Sequence, residues 1–230
     1  MDARTVAFLR ELARADDEAA ATLAELDELA REVEAIGAQA GEVEARLAVL
    51  PAERKGAETA VADAERELGE RLGEHERATA AVTDADRAND GERLRAARRA
   101  EVRARDRLRM VERRAAHRRE RAEQLEREAE STAADAGALG ERARVVAAAL
   151  RARPAVADQT GEPPDESLAA LADWATQARA ALFVARGRLA AEREAVIRQA
   201  NELGAAVLGE SLPAQSAALV ARRVEQERLS

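Results

Sequence analysis

The chain of 230 residues is predicted to be all-α, an elongated antiparallel coiled-coil hairpin with additional C-terminal helices packing on it or on a second subunit. Composition is the first observation behind this reading. Alanine occurs 61 times, against two Phe, one Trp and no Tyr. Aromatic side chains bury about 150–250 Å² each and dominate ordinary cores, so this chain is short of globular core material. Charged residues make up 36%, above the ~25% of typical domains, and Ala, Glu, Leu and Arg dominate as they do in long helices. The second observation is an apolar seam that advances by alternate steps of four and three. The third is that no strand-like alternation of apolar and polar residues occurs anywhere in the sequence.

The seam defines the first helix. From Phe8 it runs through Leu12, Ala15, Ala19 and Thr22 to Leu26, Leu29, Val33, Ile36, Ala40, Val43, Leu47 and Leu50. The last eight are consecutive apolar positions at the 3.5-residue repeat of a left-handed coiled coil. The same phase continues through Arg54, Ala57, Val61, Ala64 and Leu68, then past Arg71 and His75 to Ala78, Val82 and Ala85. Pro51 lies within this run. A proline inside a helix removes a hydrogen bond and clashes with the preceding turn, at a cost of ~3 kcal/mol. It can therefore either kink one long helix or open a new one after a turn. Because a turn has no reason to preserve phase, the kinked helix is the preferred reading.

Asn89-Asp90-Gly91 supplies the better turn, since all three residues tolerate left-handed or turn conformations. Beyond it the seam resumes at Leu94 and reaches Leu150 in seventeen positions, interrupted only by Glu101, Arg118 and Thr132. The arm from Leu94 to Leu150 would be about 85 Å long at 1.5 Å per residue. Arms 4–88 and 92–152 then zip together from a bend near Gly91, bringing position i close to position 180 − i. Gly137 and Gly140 weaken the second arm by ~1 kcal/mol each against alanine. Arg153-Pro154 ends the arm, Pro163-Pro164 marks a break, and 153–167 reads as a loop. A helix over 168–208 follows, with Asp165 or Ser167 as its cap. Its apolar face is widened by Trp174, Phe183 and Ile197, as in a bundle. A terminal helix covers 214–229, which gives a hairpin over 1–152 and a C-terminal helical segment over 168–230.

Charge is distributed unevenly. Residues 1–91 hold 11 basic and 23 acidic groups, 92–127 hold 14 against 7, and 128–230 hold 12 against 15. The arginine-rich stretch 93–127 invites a nucleic-acid reading, because clustered arginines neutralise phosphates. The competing reading is a solvated, salt-bridged face. In the 180 − i register, 92–127 faces 53–88, which carries 10 acids and 6 bases. Much of the positive charge is then expected to be met by the opposite arm. Arg98, Arg99, Arg113 and Arg114 are the candidate contacts if nucleic acid is bound.

Several chemistries lack their residues. There is no cysteine, hence no disulfide framework, zinc ribbon or thiol nucleophile. His75 and His117 are the only histidines, and in a helical pairing they are expected to be packed or solvated. Phosphate-binding glycine loops, nucleophile elbows and helical zinc-protease motifs do not occur. Paired carboxylates such as Asp16-Asp17-Glu18 have no apolar pocket in which to act as acid and base. Neither a signal segment nor an 18-residue uncharged run is present, so a cytoplasmic location is expected. Val6–Leu12 is amphipathic, but Asp2, Glu11, Asp16 and Asp17 around it disfavour anionic lipid.

The strings Leu23-Ala24-Glu25-Leu26-Asp27 and Arg46-Leu47-Ala48-Val49-Leu50-Pro51-Ala52-Glu53 resemble the opening of bacterial coiled-coil proteins of the C4-type zinc-ribbon family. The resemblance covers roughly residues 10–130 and implies adaptor or chaperone-like binding by a helical hairpin. The family's ribbon and its zinc have no counterpart in this cysteine-free chain. The arms also look like those of chromosome-maintenance ATPases, without any ATPase motif, and the length and hairpin form like those of phage-shock proteins. The expectation is a non-catalytic coiled-coil scaffold or adaptor without cofactor or metal, partnered by itself as a homodimer or by another helical protein. Trp174 and Phe183 are the candidate partner contacts. The alternative is a nucleic-acid-associated coiled coil.

Overall fold

The computed structural model describes residues 3–164 and 167–229. They form five helices: α1 (Ala3–Arg87), α2 (Gly91–Arg151), α3 (Pro154–Ala157), α4 (Leu168–Leu208) and α5 (Ala217–Leu229). No strand occurs among the described residues. The two long helices pair as an antiparallel hairpin. Pro51 lies within α1, which continues through it, so the continuous helix prevails over a turn at this position.

The bend is a Schellman-type closure. Asp90 N–H donates to the Ala85 carbonyl at 3.4 Å and Asn89 N–H to the Asp86 carbonyl at 3.0 Å, which satisfies carbonyls that the helix end leaves open. The left-handed residue is Asn89, at φ 52°, a conformation asparagine tolerates better than most side chains. Asp90 then starts α2: its Oδ1 accepts from Arg93 N–H at 3.1 Å and its carbonyl accepts from Leu94 N–H at 2.9 Å. That is N-cap geometry.

The chain divides into two compact units, 43–135 and the combination of 1–42 with 136–230. This division crosses the hairpin arms instead of separating hairpin from C-terminal segment. In the 43–135 unit the buried seam consists of Leu50, Ala64 and Ala85 on α1 and Ala104, Leu108, Val111, Ala115, Leu125 and Thr132 on α2. Register is fixed by Arg54–Glu126 (2.5 Å), Arg119–Glu65 (3.0 Å) and Arg46–Glu128 (2.6 Å). The paired numbers add to 180, 184 and 174, so the expected register holds to within about two helical turns. Arg118 interrupts the seam without leaving a buried donor unpaired, because its guanidinium donates to the Ala60 carbonyl at 3.0 Å.

In the other unit, the first half of α1 is the spine. Arg142–Glu32 (2.5 Å) joins it to the end of α2, and Arg153–Glu25 (2.7 Å) to the residue that precedes α3. Arg179–Glu34 (3.3 Å), Arg186–Asp27 (2.5 Å) and Arg193–Asp16 (2.7 Å) join it to α4. Numbers rise along α4 as they fall along α1, so these two helices are antiparallel. Their approach is close at Gly37, where an added Cβ would lie 3.1 Å from the Ala175 Cβ. Leu26, Val33 and Ile36 are fully buried in this spine; each such side chain stabilises a fold by roughly 1.5–3 kcal/mol.

Near the N-terminus the seam departs from expectation. Phe8 is 41% exposed, whereas Val6, Leu9, Leu12 and Asp16 are buried. The reason is a change of partner: here α1 packs on Ala200 of α4 and on Ala217, Val220, Ala221 and Val224 of α5. A helix meeting two new neighbours turns a different stripe inward from the one it shows to α2.

The stretch expected to be a loop contains the one-turn helix α3, whose Val156 is fully buried. Trp174 holds the rest of it, donating its indole N–H to the Gly161 carbonyl at 2.9 Å. Of the two expected caps of α4, Ser167 accepts from Ala170 N–H at 3.2 Å; Asp165 lies outside the described residues. Helix α4 ends at Gly209, left-handed at φ 69°. Asn201 then braces the connection to α5, donating to the Gln215 carbonyl at 2.8 Å and accepting from Gln215 N–H at 3.3 Å. Helix α5 begins at Ala217, three residues later than the sequence suggests.

Candidate interaction surfaces

Helix α4 carries both aromatic residues singled out as partner contacts and separates them. Trp174 is 5% exposed and points into the packed interior, whereas Phe183 is 75% exposed. Its neighbour Val184 is 43% exposed. The cause is helical phase: Trp174, Ala178, Ala181 and Ala185 follow the buried stripe of α4, and Phe183 falls on the opposite side.

Phe183 stands over the junction of α4 with α1, between two open clefts. One is floored by Ala30 between Glu34 and Arg179. The other is floored by Ala20, Ala24, Gly187 and Ala190. The Arg186–Asp27 ion pair borders both clefts. Small residues and the absence of a Gly187 side chain leave a shallow trough beside one large exposed ring.

The arginines divide by position. Arg119 reaches Glu65 and Arg118 the Ala60 carbonyl, while the ten arginines from Arg93 to Arg114 are all exposed. Among the described residues, none of these ten side chains forms an ion pair within 4.0 Å. Arg98, Arg99, Arg113 and Arg114 belong to this group. Ion pairs with the opposite arm are thus seen beyond Arg114; before it, compensation is limited to weaker attractions such as that of Arg107 for Glu74. A third cleft, between the arms, brings Glu67 and Arg71 of α1 beside Asp106, Arg107 and Arg114 of α2.

Ion pairing sets the resolved acidities. A hydrogen bond from Arg46 holds the Glu128 carboxyl below the usual carboxylate range, and one from Arg71 does the same for Glu74, with Arg107 adding a weaker attraction. The Arg46 and Arg71 guanidinium groups are raised in turn. A carboxylate lowered on folding stabilises the fold above its unfolded pKa, and that contribution disappears as pH falls through the lower folded value. Melting temperature is therefore expected to fall in acid below the ordinary glutamate range near pH 4.3. In thermal melts across this range, Glu128→Gln should flatten the decline; an unchanged slope would show that this pair adds nothing to acid sensitivity.

His75 occupies the seam, with Nδ1 buried and without a hydrogen-bond partner; His117 is exposed on α2. Among the described residues, no group of three or more His, Cys, Asp or Glu could hold a metal ion. No helix among them is long and apolar enough to cross a membrane. Asp16, which the sequence offered only as one acid in a run of carboxylates, is 1% exposed; its one signal of burial is its spacing from Leu9 and Leu12. Comparison with protein-family models, curated proteins and solved structures finds no match to this chain.

Proposed function

We propose that the protein is a non-catalytic scaffold or adaptor acting through helix-to-helix contact, with Phe183 as the anchor and a second copy of the chain as its first partner. The observation that supports this reading is an aromatic ring 75% exposed between two small-residue clefts at the α1–α4 junction. An exposed ring beside a groove is the usual form of a helix-docking hot spot. Charge favours the same chain as occupant. The α1 rim carries Asp27 and Glu34 beside Arg31, and the α4 rim carries Arg186 and Arg179, which pair with those acids within the chain and can exchange them for the same acids of a second copy. A two-fold axis parallel to these helices lays the acidic rim of each copy beside the basic rim of the other, completing a four-helix arrangement.

Light scattering coupled to size exclusion tests this reading. The wild-type mass should be twice the 24.7 kDa of one chain. Phe183→Ala should weaken association by about 2 kcal/mol, roughly thirtyfold in Kd. Phe183→Glu should give monomers of unchanged helicity. A wild-type chain that stays monomeric at high micromolar concentration, or a Phe183→Glu variant that stays dimeric, would remove this reading.

A further inference from the structure

We infer that the outward face of α2 between Arg93 and Arg114 is a binding surface for the phosphate backbone of duplex nucleic acid. On the side of α2 away from the seam, steps of four and three link Arg95, Arg99, Val102, Asp106, Arg109 and Arg113, all exposed. Residues 91–114 carry ten arginines against four acids. The opposing stretch 66–87 carries four basic and six acidic residues, too few to cancel that excess. The pattern of ion pairs supplies an independent observation. Arg46–Glu128, Arg54–Glu126 and Arg119–Glu65 bind the arms together farther from the bend, and no such cross-arm pair reaches the arginines of 93–114 among the described residues. Their guanidinium donors are left available, and guanidinium is the group best matched to phosphate.

Acidic residues on the outer side of the opposing arm do not cancel this face. Helices are about 10 Å across, and the outer side of α1 lies behind two of them. Salt screens charges over about 8 Å at physiological ionic strength, so a ligand on α2 experiences mainly the arginines. The stretch is about 32 Å long at 1.5 Å per residue, close to the ~34 Å of one duplex turn. Single-strand binding relies on stacking on large aromatic side chains, and residues 43–135 contain no Phe, Tyr or Trp. Insertion into a lipid surface needs a broad apolar face; here the exposed large apolar residues are Val102 and Met110, at 44% and 53%. Contact with phosphates alone is independent of sequence.

The test uses the full chain and a fluorescently labelled DNA duplex of about one or two turns, followed by anisotropy between ~50 and ~200 mM salt. Six phosphate contacts predict a log–log salt slope near −5, roughly a thousandfold loss of affinity across that range. Replacing Arg95, Arg99, Arg109 and Arg113 together by Gln should reduce the slope by about four, and the matching Lys set should restore it. If the quadruple Gln variant loses helicity, Arg99→Gln and Arg113→Gln singly should each reduce the slope by about one. No binding at ~50 mM salt, where phosphate contacts are strong, overturns the proposal. So does an unchanged slope in the folded Gln variants, or capture by anionic vesicles in preference to duplex. The outcome is independent of dimerisation through Phe183, which the mass measurement reads separately.

Discussion

Replacing Asp16 by alanine is expected to cost roughly 3 kcal/mol and to loosen α5 from the rest of its unit. Asp16 is 1% exposed. Its Oδ1 accepts from Arg193 Nε at 2.7 Å, and its Oδ2 accepts from the backbone N–H of Ala217 at 3.0 Å. The second bond makes a side chain from α1 the cap for the first turn of α5, a helix distant in sequence. Alanine removes both acceptors. A buried amide without a partner costs about 1–3 kcal/mol. Arg193 loses its counter-ion as well, but its side chain is 34% exposed, so water recovers part of that loss. Asp16→Asn keeps an acceptor for Ala217 and should cost about half as much. Thermal melts together with proteolysis of the 209–216 connection would check this. A variant that melts like the parent with that connection still protected would show that α5 is held without its cap.

At Gly204, substitution by valine should be nearly as damaging, at about 3 kcal/mol, the upper part of the usual overpacking range. A Cβ there would lie 2.4 Å from Val220 Cγ1 and 3.0 Å from Leu212 Cδ1. Val220 is fully buried and β-branched, so it has few rotamers into which to retreat. Alanine gains about 1 kcal/mol of helix propensity over glycine, which offsets part of the overlap, so Gly204→Ala should be the milder variant. Gly56 provides the contrast. An added Cβ there meets nothing within 4 Å, so Gly56→Ala should stabilise by about 1 kcal/mol. Denaturant melts of the three variants would give the order Gly56→Ala, parent, Gly204→Ala, Gly204→Val. If Gly204→Val were as stable as the parent, α4 and α5 would not pack as described.

Much of the fold could be read in the sequence because one periodicity governs it. From Leu26 onward the four-and-three stepping picks out residues that are in fact buried, including Val33, Ile36, Ala40, Leu108, Val111 and Leu125. The turn chemistry at Asn89 and Asp90 fixed the register, and the 168–208 boundaries of α4 follow from its proline-rich entry and glycine exit. The misreadings have a common physical origin. Stepping back from Leu26, Phe8 and Leu9 differ by one residue, and only the arrival of α4 and α5 decides between them. Only its spacing from Leu9 and Leu12 sets Asp16 apart from the exposed Asp17; its role depends on an amide 201 residues away. Similarly, an even charge ledger between the arms spreads the acids uniformly over the arginines, whereas ion pairs form only where side chains meet across the seam. For Phe183 and Trp174, the apolar face read from the sequence was drawn too wide: nine residues at about 3.6 per turn set them on opposite sides of α4, and the buried stripe takes Trp174 alone.

The bond from Trp174 to the Gly161 carbonyl has a practical optical consequence. Trp174 is the chain's single tryptophan, and its indole lies where α4 meets the strap after α3. Emission excited at the red edge of protein absorption therefore reports on that junction alone and is silent about residues 43–135. Circular dichroism, by contrast, averages over every helix. The chain thus carries its own local lamp beside a global gauge, and any separation between the two signals during denaturation would reveal how far the two compact units melt as one.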